Sequence, residues 1–192
     1  YLHSDVSEIK AENNRFCNVK SIAPGQNDFK VLIIEDQTEN WVLLQRILEN
    51  INIQTKVAEN GLNGIETFKL WQPHLIFMDI RMPVMDGIEA TKIIRKMELG
   101  SSVKIIGLTA HVFNDEIQDI MKVGMDGVIL KPYQFFDIYD CLNKHLNIEF
   151  IFFEQYITDI KTQKNLTIEM LSEFNHEILV QLQTALIKND IE

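Results

Sequence analysis

The sequence predicts an α/β fold in which βα units, repeated five times, build a parallel sheet covered by helices on both faces. Three observations predict it. From residue 29 onward, short apolar runs alternate regularly with amphipathic segments. The runs are almost continuously apolar, as strands buried on both faces require. The intervening segments carry helical spacing, as in Val42, Leu43, Ile47, Leu48 and Ile51.

Taken in order, "FKVLII" (29–34) is the first strand and "TENWVLLQRILENI" its helix. "QTKVA" then precedes "LNGIETFKLW", and "HLIFMD" precedes "GIEATKIIRKM", with Pro83 and Gly87 supplying the turn between them. "KIIGLTA" precedes "NDEIQDIMKVG", and "GVILKP" precedes "FFDIYDCLNKHL". The flanks read differently. Residues 1–28 hold the polar "EIKAENNR" and the Pro/Gly-punctuated "IAPGQND", a linker expected to have little stable structure. Residues 149–192 read as a helical extension: Leu171, Phe174, Ile178, Leu182 and Leu186 repeat at helical spacing, with Thr167 placed to cap the helix and Glu169 in its first turn. That amphipathic helix needs a partner surface, either its own domain or a neighbouring copy in a dimer.

The whole chain, 192 residues and 46% hydrophobic, fits one ordinary domain with extensions. A net charge of −10 argues against a nucleic-acid face, which depends on clustered Lys and Arg. Cys17 and Cys141 stand far apart in no metal-binding spacing and read as reduced thiols. No apolar stretch approaches a membrane span, and the start has no signal-peptide pattern. The chain begins at Tyr1, as expected for a piece of something longer whose parent could still be membrane-tethered.

An open α/β sheet places its ligand site at the carboxyl ends of its strands. Those ends carry Glu35 and Asp36 after the first strand, Asp79 after the third, Thr109 after the fourth, and Lys131 with Pro132 after the fifth. Singly, each has an ordinary reading: acids at a helix start, a capping hydroxyl, a surface charge. Together they form a rim of carboxylates that repel one another and call for a hard divalent cation. Mg²⁺ is the natural choice, because it takes oxygen ligands and shares its shell with phosphate. A carboxylate on such a rim, with an ammonium and a hydroxyl opposite, can attack phosphorus and form an acyl phosphate.

The motif set in chain order is the acidic pair in "LIIEDQTEN", Asp79 followed by "IRMPVMDG", Thr109 in "LTA", and Lys131 in "GMDGVILKP". It resembles the receiver domain of two-component response regulators over residues 29–148. The stretches "VKSIAPGQNDFKVLIIED", "LWQPHLIFMDIRMPVMDGIEATKIIR", "LTAHVFNDE" and "HLNIEFIFFE" resemble the C-terminal receiver of bacterial hybrid sensor histidine kinases. The resemblance implies a flavodoxin-like sheet of strand order 2-1-3-4-5. It implies Asp79 as phosphoacceptor, and Glu35, Asp36, Asp79 and the Arg81 backbone carbonyl as the Mg²⁺ set. Thr109 and Lys131 would contact the phosphoryl group, with the Lys131–Pro132 bond cis. Implied partners are a histidine kinase domain, in cis or in trans, and a histidine phosphotransfer protein, in the cytoplasm. The segment itself would show at most self-phosphorylation and dephosphorylation, whereas the parent chain would be a hybrid kinase.

Departures from the family pattern are informative. Val128 stands where receivers often carry Phe or Tyr, so no aromatic switch coupled to Thr109 is implied, and output is expected through backbone and surface shifts in the fourth repeat helix. Arg81 and His111 flank the pocket and are expected to tune the acyl-phosphate lifetime. His176 in "NHEILVQ" lacks the small and basic neighbours of a relay histidine and reads as an exposed helix residue. Trp41 and Trp71 read as packing residues, Trp41 near enough to the acidic pair to report on it. Met82 and Met85 read as loop packing, since thioethers are poor Mg²⁺ ligands. Two rival readings stand beside the receiver: a docking-only pseudo-receiver, and an Asp-nucleophile phosphohydrolase. The hydrolase usually places a second Asp two residues after the nucleophile, where this chain has Arg81.

Overall fold

A computed structural model of the chain describes residues 19–26, 28–110 and 114–152. Its main body is a five-stranded parallel sheet made of β2 (Lys30–Ile34), β3 (Gln54–Ala58), β4 (Leu75–Asp79), β5 (Lys104–Thr109) and β6 (Gly127–Leu130), in the order β3-β2-β4-β5-β6. Counted over the βα repeat alone, that is the order 2-1-3-4-5, with β2 and β4 at the reversal of strand order. The helices are α1 (Thr38–Glu49), α2 (Gly61–Trp71), α3 (Gly87–Ile94), α4 (Asn114–Lys122) and α5 (Phe135–Leu146).

Strand geometry sends successive side chains to opposite faces, and the two cores follow from it. Val31, Ile33, Leu75, Phe77, Ile106 and Leu108 pack with Leu44, Ile47 and Leu48 of α1 and Ile138 and Leu142 of α5. Their neighbours Leu32, Ile34, Ile76, Met78 and Ile105 pack with Ile65 and Phe68 of α2, Ala90 and Ile94 of α3, and Ile120 of α4. Helix starts are set locally. The side chain of Asn60 accepts from Asn63 N–H (2.9 Å), that of Asp86 accepts from Glu89 N–H (2.8 Å), and Gln134 with Asp137 forms a capping box. Gly87 opens α3 directly under the site strand, where a Cβ would collide with the Asp79 carbonyl oxygen. Among the described residues, no helix is long and apolar enough to cross a membrane.

The flanks depart from expectation. Residues Val19–Ile22, read from sequence as linker, form a strand (β1) that pairs antiparallel with Phe150–Phe152 (β7), at the start of the segment read as helical. Ile22 is buried in the α1/α5 core, and the Phe150 ring lies 5.4 Å from that of Tyr139 on α5. The pairing joins chain positions more than a hundred residues apart, so neither short segment carries a local periodicity that could announce it. Cys141 is a free, buried thiol whose pKa burial pushes up to about 12, consistent with inert packing. The expectations for Cys17, His111, Thr167, Glu169, His176 and the C-terminal helix lie outside the described residues.

Candidate functional site

Parallel pairing in register brings the carboxyl ends of β2, β4, β5 and β6 to one rim. Glu35 continues the ladder past β2 by donating its N–H to Ala58 O (3.0 Å), and Asp36 follows it. Asp79 is the last residue of β4 and Thr109 the last of β5. Lys131 N–H donates to Thr109 O (2.8 Å), which draws the loop after β6 over the end of β5, and the Lys131–Pro132 peptide is cis. Gln37, Asn40, Asp79, Ile80, Arg81, Thr109, Ala110 and Lys131 together line a cleft of about 220 Å³.

Within it, the carboxylates of Glu35, Asp36 and Asp79 bring ligand oxygens within 4.8 Å of one another. Lys131 Nζ lies 2.5 Å from Glu35 Oε2 and 3.2 Å from Asp79 Oδ2. The second Glu35 oxygen accepts from Asn40 Nδ2 (3.0 Å) and from Gln37 N–H (3.4 Å). Burial, then the negative charge of Glu35, pushes the Asp79 carboxyl up to about 6, against the opposing pull of Lys131 and the Arg81 N–H.

The donor set fits a hard divalent cation. Three carboxylates converge with one ammonium between them, and Asp36 Oδ1 is buried without a hydrogen-bond partner, a costly arrangement unless a cation completes it. Glu35, Asp36 and Asp79 are the side chains that would hold such an ion. It would supply neutralisation of charge on bound phosphoryl oxygens.

All five side chains expected at the strand ends meet on this rim, and Arg81 lines the same cleft. Val128 is half-buried against the α2/α3/α4 core, as are Met82 and Met85, while Trp41 packs on the α1/α5 core and Trp71 on the opposite one. The sequence reading missed Asn40, Gln37 and Tyr133. Asn40 and Gln37 stand inside "EDQTEN", and Tyr133 follows Lys131 by two residues, so proximity in sequence was the available signal. Tyr133 is buried, and its hydroxyl donates to Asn40 O (2.9 Å). Burial, then the charges of Glu35 and Asp79, pushes the phenol up to about 12.

The model of the response regulator receiver domain matches residues 31–143. The chain belongs to the response regulator receiver family. This receiver is 28% identical over 177 residues to Probable histidine kinase 1 of Oryza sativa subsp. indica, covering 76% of this chain and 18% of that protein. It is 36% identical over 121 residues to Hybrid signal transduction histidine kinase G of Dictyostelium discoideum, covering 62% of this chain and 4% of that protein. It thus spans less than a fifth of the length of either kinase.

Among solved structures, the receiver resembles that of the sensor histidine kinase PA1611 from Pseudomonas aeruginosa PAO1 (TM-score 0.59, 26% identity, 62% of this chain and 98% of that one), which holds a magnesium ion in its active-site cleft. It also resembles a chain in the complex of the Saccharomyces cerevisiae histidine phosphotransfer protein Ypd1 with the receiver domain of Ssk1 (TM-score 0.58, 30% identity, 61% of this chain and 88% of that one). The flavodoxin-like fold and the homology to receivers of hybrid histidine kinases and phosphorelay proteins support a phosphoacceptor role in two-component signalling.

Proposed function

We propose that Asp79 is the phosphoacceptor of this receiver, with residues 29–148 as the functional body. The observation that carries the reading is the position of Asp79: a buried carboxylate at the end of β4, 3.2 Å from the Lys131 ammonium and within 4.8 Å of two further acids. An Asp79 oxygen attacks phosphorus of a phosphohistidine. The O–P bond forms, the P–N bond breaks, and the imidazole nitrogen leaves with its electron pair and takes a proton. Lys131 neutralises the transferred group and Thr109 hydrogen-bonds its oxygens. Glu35, Asp36, Asp79 and the Arg81 carbonyl hold Mg²⁺. The donor is a histidine kinase domain, in cis or in trans, or a histidine phosphotransfer protein, and the setting is cytoplasmic. In this reading the parent protein is a hybrid kinase, and the receiver contributes the acceptor.

The test is phosphoryl incorporation and Trp fluorescence in the purified chain with Mg²⁺ and a small phosphodonor, or beryllofluoride as its mimic, comparing wild type with Asp79→Asn. A response in the wild type that is lost in the variant is the expected result. A silent wild type would remove the acceptor reading and favour the docking-only alternative.

A further inference from the structure

The loop after β6 and the first turn of α1 are held together by a contact that the transfer chemistry does not itself require. Tyr133, two residues beyond Lys131, donates its hydroxyl to the backbone carbonyl of Asn40 at 2.9 Å. Asn40 sends its amide to Glu35 Oε1 (3.0 Å) and Gln37 Oε1 (3.2 Å), and Lys131 meets the other Glu35 oxygen. A closed path results: from the Lys131 loop through Tyr133 to α1, through the Asn40 amide to Glu35, and back to Lys131. We propose that Tyr133 and Asn40 are positioning residues for this site, forming a strut that sets the Glu35 carboxylate and the Lys131 ammonium relative to each other and to Asp79.

Charge attraction alone does not orient these groups. Lysine is a compact charge on a flexible four-carbon stem, so a carboxylate alone fixes its distance but not its direction. Glu35 has two oxygens, one taken by Lys131. Rotation of the carboxylate about its last torsion is soft unless the other oxygen is also engaged, and the Asn40 amide engages it at 3.0 Å, closer than the Gln37 N–H at 3.4 Å. Asn40 itself lies near the start of α1, whose N-cap residue Gln37 makes no side-chain cap, so this first turn lacks the usual local lock. The buried Tyr133 hydroxyl supplies a lock from across the cleft. A tyrosine here also has its polar tip satisfied, as a buried phenol must.

The proposal rests on the reading of Asp79 as acceptor, and its test separates the two. Tyr133→Phe keeps the ring and removes only the hydroxyl. Asn40→Ala removes the amide and keeps the backbone carbonyl. Both variants and their double are compared with wild type by Mg²⁺ titration of Trp fluorescence, by the rate of labelling from a small phosphodonor, and by thermal unfolding. The strut predicts about 3- to 10-fold weaker Mg²⁺ binding and slower labelling in each single variant, with cooperative unfolding retained. It predicts a double variant little worse than the poorer single, because both act on one path. Wild-type Mg²⁺ affinity and labelling in both singles would overturn it, as would fully multiplicative losses in the double. A wild type that takes no label overturns the Asp79 reading instead, and the Mg²⁺ titration then judges the strut by itself.

Discussion

The Lys131 ammonium lies 2.5 Å from the carboxylate of Glu35, joining the loop after β6 to the end of β2 across 96 residues of chain. Glu35 is buried, with its side chain 1% exposed, while Lys131 is 15% exposed at the cleft, so the carboxylate has little water to fall back on if its partner is lost. Removing one partner of such a pair strands the other.

Lys131→Met is therefore expected to destabilise the metal-free protein by about 3 kcal/mol, since it leaves Glu35 and Asp79 facing each other without the cation between them. Urea unfolding checks the magnitude. Added Mg²⁺ should recover part of the loss, because it binds the folded carboxylates and not the unfolded chain.

Asp79→Asn should act in the opposite direction. The Asp79 carboxyl is raised to about 6 in the folded protein from 3.8, so the folded state holds this proton more tightly than the unfolded chain does. Stability associated with the group is then present below the unfolded pKa and is lost as pH rises through the folded value. At pH 7 without metal, Asn relieves that penalty and is expected to raise stability by roughly 3 kcal/mol, each tenfold change in proton affinity being worth about 1.4 kcal/mol. The wild-type minus variant difference should shrink toward zero near pH 4. A flat difference across pH 4–7 would refute the prediction.

Val84 holds φ of 70° in the loop between Asp79 and α3, a left-handed conformation that a β-branched residue adopts only under strain. It is 79% exposed, so its side chain contributes little packing. Val84→Gly or Val84→Asn should stabilise the protein by about 1 kcal/mol, read as a rise in the urea midpoint.

Arg95 anchors the opposite end of the sheet. Its guanidinium donates to the carbonyls of Gly124 (2.6 Å), Gly100 and Val103 (2.8 Å), and pairs with Asp126 (2.7 Å). Although burial pushes Asp126 up, the Ile105 N–H, Lys104 and Arg95 together hold its pKa below the ordinary value. Arg95→Met is expected to cost about 2–3 kcal/mol, the loss of a charged, multiply bonded group. The Asp126 share of stability is present above the unfolded pKa and lost as pH falls through the lowered folded one, so the variant should differ least from wild type in acid. Phosphoryl labelling at Asp79, tested on folded protein, should be unchanged.

Much of the fold was written locally. Each strand from β2 to β6 is a continuous apolar run and each helix has its own stripe, so the βα repeat could be read without knowing which strands pair. The rim residues Glu35, Asp36, Asp79, Thr109 and Lys131 were legible too, because each directly follows or ends an apolar run and a parallel sheet gathers all such ends on one side. The β1–β7 pairing was not legible: "VKSI" and "FIF" are too short to show a period, and each becomes a strand only against the other.

The same reason separates what the sequence determined by itself from what only the tertiary structure decided. The sequence determined the alternation of elements, the two-faced burial of the sheet and the types of group at the strand ends, because these follow from periodicity and from position along one chain. The tertiary structure decided that Lys131 spans Glu35 and Asp79, that Tyr133 reaches Asn40, and that Arg95 ties together the turns before β5 and β6. Those contacts depend on side-chain directions at through-space distances of a few ångströms between residues far apart in the chain, which no linear pattern encodes.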